Sequence, residues 1–337
     1  PHTPDRAGDG AGGARRGDMN LGEFERRSVL KAAAMLAVSG FGLSGAKIAS
    51  AQQVPYSTGT EPAKTKAPAN ATDCHMHIYD KRFPAAPGAV LLPPDASPDD
   101  YRKLQQRIGT TRIVVVTPST YGTDNSCTLS GMAAFGPIAR GVAVVNTSVS
   151  DAELKRLDGL GVRGIRFNLV QAGATSVDML EPLSKRVNDL GWHVQIHMLG
   201  PQIVEIESLL MRLPSSIVFD HLARVPQPAG VNHPSFATVR RLIDKGRTWV
   251  KVSGAYQDTK VGPPSYSDTS AVAKAYVNAA PERMVWGSDW PHPTEKADNK
   301  PNDAILFNLL AEWAPEEGTR NRILVQNPAA LYGFPSA

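Results

Sequence analysis

Two histidines one residue apart, His75 and His77, are the side chains in this sequence best placed to do chemistry. They lie in Ala71-Thr72-Asp73-Cys74-His75-Met76-His77-Ile78-Tyr79, whose leading residues read as a short buried strand. Alternate side chains of a strand share a face, so the two imidazoles converge on one point. Imidazole is the commonest protein ligand for a catalytic divalent metal, and such sites keep one position open for water or substrate. A bare His-x-His pair also arises from packing, so its meaning depends on the groups that join it. His197, His221 and Asp289 each close an apolar run further along the chain. Five groups able to ligate a metal or move a proton therefore need a scaffold that brings them to one rim.

That scaffold is legible in the alternation of segments. From Asn70 onward, eight short runs rich in Val and Ile predict strands: Thr72–Ile78, Arg112–Thr117, Gly141–Thr147, Val162–Leu169, His193–Met198, Ser216–His221, Trp249–Ser253 and Arg283–Ser288. Runs of this kind suit parallel strands buried on both faces. Amphipathic segments between them predict helices over Pro98–Ile108, Asp151–Leu160 (capped by Ser150), Met179–Leu190, Pro201–Leu213, Pro234–Lys245 and Ser270–Ala280. The connection Asn125–Ile138 reads as less regular, and Pro301–Trp313 and Glu316–Gln326 close the chain helically. Eight strands alternating with helices specify an α/β fold, a single (β/α)8 barrel over 70–337, with catalytic groups at the C-terminal ends of the strands. A doubly wound sheet is the competing architecture, but no glycine-rich phosphate turn follows an early strand. On the barrel, His75 and His77 end the first strand, Arg166 the fourth, His197 the fifth, His221 the sixth and Asp289 the eighth. His193 begins its strand and belongs at the far end. Alternation places Cys74 opposite His75, so Cys74 and Cys127 read as two unpaired core thiols, with no disulfide framework and no C-x-x-C metal pair.

Composition narrows the partners. The 337 residues are 42% hydrophobic, ample for one large core, and carry a formal net charge of +4. The segment 1–51 holds seven Lys/Arg against five Asp/Glu, so about half of that excess belongs to it. The remainder is near-neutral with no basic stripe, which argues against nucleic acid. Glu25-Arg26-Arg27-Ser28-Val29-Leu30-Lys31, the apolar stretch Ala32 to Leu43 and Ala49-Ser50-Ala51 describe a cleaved export signal. Its paired arginines resemble the bacterial twin-arginine signal, which implies the twin-arginine export machinery as a partner and a periplasmic location. The apolar run is too short for a stable membrane anchor. Residues 1–18 read as an extension before Met19, and 52–69, rich in Pro, Thr, Lys and Ala, as a flexible linker.

Over Asn70 to about Phe334 the sequence resembles the amidohydrolase superfamily, in its branch of small TIM-barrel hydrolases and decarboxylases. The resemblance is carried by Asp73-Cys74-His75-Met76-His77, Gly161-Val162-Arg163-Gly164-Ile165-Arg166-Phe167-Asn168, Asp220-His221, Trp286-Gly287-Ser288-Asp289-Trp290-Pro291-His292-Pro293 and Asn327-Pro328. Within the branch it is most similar to the 2-pyrone-4,6-dicarboxylate lactonases and D-galactarolactone isomerases. The metal-dependent members imply His75, His77, His197 and Asp289 as ligands of one divalent ion, zinc or manganese, with His221 beside it as a base or polarising group. An imidazole with a pKa near 6.5 suits that duty, and Asp289 can serve as both ligand and general base. Similar lactonases work without a tightly bound metal, so hydrolysis driven by Asp289 within an electrophilic histidine pocket stays the alternative.

The resemblance also bears on substrate. Arg166 is the best anion clamp, because its planar fork suits a carboxylate and resembling enzymes use an arginine there. Arg224 is a second candidate, and Ser119, Tyr121 and Tyr256 each follow a strand where they can donate a hydrogen bond. The dicarboxylate lactonases carry further arginines where this chain has Ala172 and Ser267, and a tyrosine where it has Leu91. An unpartnered buried carboxylate costs several kcal/mol, so a lactone or small cyclic ester with one carboxylate is the expected substrate. Lactone isomerisation, non-oxidative decarboxylation and non-catalytic binding of a periplasmic sugar acid are the rival functions. Oligomeric state is not written in the sequence.

Overall fold

Eight parallel strands follow one another in chain order around one sheet: β1 Thr72–Met76, β2 Arg112–Val116, β3 Ala139–Ala143, β4 Val162–Asn168, β5 His193–His197, β6 Ser216–Phe219, β7 Thr248–Val252 and β8 Met284–Trp286. The structure, a computed structural model, describes residues 52–171 and 173–336. The expected export signal and Ala172 lie outside the described residues. The predicted barrel is the observed fold. Its seam is made just past β8, where the amide of Asp289 donates to His75 O at 2.8 Å and that of His77 donates to Trp290 O at 2.9 Å.

Around the sheet run α1 Pro98–Ile108, α2 Ser126–Phe135, α3 Asp151–Gly159, α4 Leu180–Asn188, α5 Gly200–Glu205, α6 Glu207–Arg212, α7 Pro234–Asp244, α8 Ala255–Asp258, α9 Ser267–Ala279, α10 Asp303–Trp313, α11 Glu317–Asn321 and α12 Asn327–Tyr332. Several begin where capping chemistry says they should. Ser97 caps α1 by accepting from the amide of Asp100, with Pro98 at the first position, and Ser150 caps α3 in the same way. The connection expected to be less regular holds the ordinary helix α2, and the single helix expected over Pro201–Leu213 is broken at Ile206 into α5 and α6.

Two apolar layers hold the barrel. Outward strand residues such as Ile113, Val115, Ile165 and Ile196 join Leu104, Leu157 and Leu183 from the helices. Inward residues Cys74, Val114, Val116, Val142, Val218 and Val285 form a second cluster, shared with Tyr332 and Phe334 near the C-terminus. Cys74 corrects the alternation argument. Asp73 pairs with Ile113 and Met76 with Val115, so Cys74 and His75 together oppose one residue in a β-bulge. The bulge turns both side chains inward, and His75 is not opposite Cys74.

Residues 52–69 depart from the expected flexible linker. Val54 is buried, Trp290 Nε1 donates to Pro55 O at 2.7 Å, Arg107 Nε donates to Glu61 O at 2.8 Å, and the amide of Thr65 donates to Asn308 Oδ1 at 2.9 Å. Composition reports the lack of helix or strand, but such a segment can still be fixed by side chains of the body it crosses.

Candidate active site

Asp289 is the hub of the rim. Its Oδ1 lies 3.5 Å from His75 Nε2, 3.4 Å from His77 Nε2 and 3.6 Å from His221 Nε2. Its Oδ2 accepts from the phenol of Tyr256 at 2.5 Å and from Gln257 Nε2 at 3.0 Å. Burial opposes the charge on this carboxylate, but His221, His77 and His75 outweigh burial and hold its pKa well below the ordinary range. Asp289 is ionised at neutral pH, with one oxygen tied and the other facing three imidazoles.

Local backbone explains how the groups come so close. Gly287 passes against β1 where a Cβ would stand 2.7 Å from the Cβ of His75, so only glycine lets the seam close. Asp289 itself has a left-handed φ of 61°. After β6, His221, Leu222, Ala223 and Arg224 are all left-handed, with φ between 48° and 56°. A run of such residues is costly and is retained where surrounding structure imposes it, typically at functional sites. It turns the His221 ring toward Asp289 and braces its Nδ1 2.9 Å from Ser253 Oγ.

Beneath the rim lies a buried charged layer. Asp220 accepts from Arg166 Nε at 3.0 Å and stands 3.3 Å from His75 Nδ1 and 3.7 Å from Lys251 Nζ. Lys251, in the middle of β7, donates to Cys74 O and Gln195 Oε1, both at 2.8 Å, and lies 3.1 Å from His75 Nδ1. Burial lowers the Lys251 pKa to about 8, against the pull of Asp220. Burial also holds His75 and His197 well below the usual imidazole range and His221 at about 4. His75, His197 and His221 are therefore neutral at pH 7, with lone pairs to offer.

The pocket above is a narrow, partly open cleft of about 310 Å³, space open to solvent included, lined by His77, Ser119, Arg166, His197, His221 and Asp289, with Leu91 and Asn168 among its walls. Of the predicted substrate contacts, Ser119 and Arg166 face it. Arg224 is held instead by Asp258, at 2.7 and 3.0 Å, and places Nη1 2.8 Å from His197 Nε2. Tyr121 reaches the backbone of Asp80, and Tyr256 serves Asp289. His197 lies on the rim as expected, but its Nδ1 and Nε2 face Arg166 and Arg224, at 3.5 and 2.8 Å.

A divalent ion fits three of the four predicted ligands. His75 Nε2, His77 Nε2 and Asp289 Oδ1 lie 3.2, 3.5 and 3.4 Å apart. Donors tetrahedrally arranged at about 2.0–2.1 Å from one ion stand about 3.3 Å from each other. The far nitrogens are braced as metal-bound histidines are: His77 Nδ1 donates to Val116 O at 2.7 Å, and His75 Nδ1 faces Asp220. The position nearest to completing the set belongs to His221. His197, given as the fourth ligand by resemblance, stands with the guanidiniums.

Sequence reasoning gave no role to Asp220, Lys251, Gln257 or Asp303. For Lys251 and Gln195 a signal existed, a charged or amide side chain in the centre of an otherwise apolar strand. The others are placed by tertiary contacts that no local pattern announces.

The chain is similar to known proteins. The Amidohydrolase family profile matches residues 72–334. D-Galactarolactone isomerase of Agrobacterium fabrum is 32% identical over 278 residues, covering 82% of this chain and 94% of that protein. The 2-pyrone-4,6-dicarboxylate hydrolase of Comamonas testosteroni is 35% identical over 289 residues, with the same two coverages. A solved apo structure from Agrobacterium tumefaciens superposes with a TM-score of 0.78 at 31% identity, over 84% of this chain and 99% of that one.

Proposed function

The chain belongs to the amidohydrolase family and is an enzyme of that superfamily; from that premise we propose that it hydrolyses a lactone or similar small cyclic ester bearing one carboxylate. The observation that carries this reading is the convergence of Asp289 Oδ1 with the Nε2 atoms of His75, His77 and His221 at the floor of a small pocket. His75, His77 and Asp289 would hold one zinc or manganese ion, with His221 nearest as a further partner. Such an ion supplies a Lewis acid for the ester carbonyl and makes water acidic enough to attack near neutrality.

The chain's own residues do the rest. Arg166 turns its guanidinium to the pocket while Asp220 fixes its Nε, so it can bind the substrate carboxylate in a set orientation. Asp289 Oδ1 takes the proton from attacking water, and neutral His221 is close enough to receive it. Leu91 and one arginine in the pocket lining suit one carboxylate better than two. The relatives named for lactone isomerisation and pyrone-dicarboxylate hydrolysis support a lactone as the bond acted upon.

A specific contact favours a second, metal-free reading. If Lys251 donates to His75 Nδ1, at 3.1 Å, the proton of that neutral ring sits on Nε2 and becomes a donor toward Asp289 or the substrate oxyanion. A lactone panel followed with a pH indicator, with metal analysis of the same protein, tests both. Hydrolysis releases acid, isomerisation does not, and decarboxylation releases carbon dioxide. Full activity in metal-free protein would overturn the metal reading, and turnover without acid release would overturn hydrolysis.

A further inference from the structure

Behind Asp289, away from the pocket, runs a chain of buried polar groups that the proposed hydrolysis does not use. Asp303, at the start of α10, and His292, in the turn after Asp289, are both fully buried. His292 Nε2 lies 3.1 and 3.0 Å from the two oxygens of Asp303, and its Nδ1 lies 2.9 Å from the phenol oxygen of Tyr256. The phenol then reaches Asp289 Oδ2 at 2.5 Å. Counting protons fixes the direction. Tyr256 has one, and an ionised carboxylate can only accept, so the phenol donates to Asp289. The phenol oxygen is then left to accept from His292 Nδ1, and Asp303, 3.0 and 3.1 Å from Nε2, holds the far edge of the ring.

We propose that Asp303 and His292 are positioning residues which, through Tyr256, clamp Oδ2 of Asp289, so that Oδ1 alone addresses the imidazoles and the attacking water. The proposal rests on the hydrolase reading for its kinetic consequence and on geometry for its structural one. Its anchors lie outside the pocket. The amide of Asp303 donates to Ser57 Oγ at 3.1 Å, and Lys300 Nζ donates to His292 O at 2.6 Å. The segment 52–69 and the turn after β8 thus brace the chain from behind. A histidine–carboxylate pair kept for stability alone has no need to end on the one carboxylate that faces three histidines. Gln257 makes the other contact to Oδ2, so removing Tyr256 loosens Asp289 without leaving that oxygen unpartnered.

The test compares Tyr256→Phe, His292→Gln and the double variant in acid release from the best lactone of the panel, with crystal structures of each. Each single change should lower kcat by about 10–100-fold, the usual loss for groups that orient a catalytic ligand, with KM within about twofold. The double variant should be no slower than Tyr256→Phe, because His292 acts through the phenol. Losses that multiply in the double variant, or a KM that rises in step with the fall in kcat, would overturn the proposal. In the His292→Gln crystals the phenol should leave Oδ2 by more than the ~3.5 Å hydrogen-bond limit, and a retained contact would likewise overturn it. If His292→Gln does not fold, Asp303→Asn, which keeps an acceptor for Nε2, carries the same measurements. A wild type that opens no lactone sinks the hydrolase reading alone, since the crystallographic result is read without turnover.

Discussion

Replacing Asp220 with asparagine should unfold much of this barrel's margin while leaving its shape intact. Asp220 is fully buried, and its carboxylate is the partner of Arg166 at 3.0 Å, His75 at 3.3 Å and Lys251 at 3.7 Å. Burial disfavours its charge, yet His75, Arg166 and Lys251 together hold its pKa well below the ordinary range, so the charge stabilises the fold. Asparagine keeps the size and removes the charge, which strands an ammonium and a guanidinium inside the protein. Breaking a buried pair on one side costs about 3–5 kcal/mol. At about 2–4 °C per kcal/mol for a domain approaching this size, Tm should fall by roughly 6–20 °C at pH 7. The pH dependence carries the signature. A carboxyl whose folded pKa is depressed gives its full stabilisation above the unfolded pKa of about 3.9 and loses it as pH falls toward the folded value. The gap between wild type and Asp220→Asn should therefore stay constant from pH 7 to about 5 and close on further acidification. Adding Lys251→Met should restore at least about 1 kcal/mol, because the stranded ammonium leaves with it. Differential scanning calorimetry across pH measures all three. A Tm change under 2 °C, or a gap indifferent to acid, would refute the assignment of Asp220 as the keystone charge.

Asp289→Asn should lower kcat by about 10²–10⁴-fold, the range for a positioned general base, with Tm within a few degrees of wild type; retained turnover removes it from the mechanism. Arg166→Lys should raise KM for a carboxylate-bearing lactone about 10–100-fold, from the loss of roughly 1.5–3 kcal/mol of charge-assisted hydrogen bonding, and leave a neutral ester analogue nearly unaffected. His193, whose ring nitrogens meet no hydrogen-bond partner among the described residues, has its pKa lowered by burial to about 3. The unfolded chain then binds the extra proton first, so stability is lost as pH falls from about 6.5 to about 3, up to about 5 kcal/mol. His193→Leu puts an apolar side chain in the slot beside Gly164 and Tyr332, and calorimetry should find it less acid-sensitive than wild type; an unchanged acid slope would count against it.

The barrel was legible because the strand runs are largely apolar on both faces and most of the longer helices announce themselves with a cap or a periodic face. Ser97, Ser150 and Pro234 mark starts that the structure repeats. His75, His77, His221 and Asp289 were legible as a set once strand ends were assigned, since a barrel gathers those ends at one rim. What escaped is what tertiary contact alone decides. A bulge overrides the alternation that should have turned Cys74 away from His75. Arg224 reads like a pocket cation until Asp258 is seen to hold it. Tyr256 likewise reads as a substrate contact until its phenol is found on Asp289. The strapping of 52–69 escapes because its partners, among them Trp290 and Asn308, lie far away in sequence.

The seam between Asp289 and β1 also sets when chemistry can begin during the protein's manufacture. His75 and His77 leave the ribosome some two hundred residues ahead of Asp289, roughly 10–40 s earlier at about 5–20 residues per second. Until the last strand docks, the early histidines have neither the carboxylate nor the backbone bonds that hold it beside them. On the proposed mechanism, a nascent chain that stops short of Asp289 is silent. Competence then waits for the turn after β8 to dock on β1.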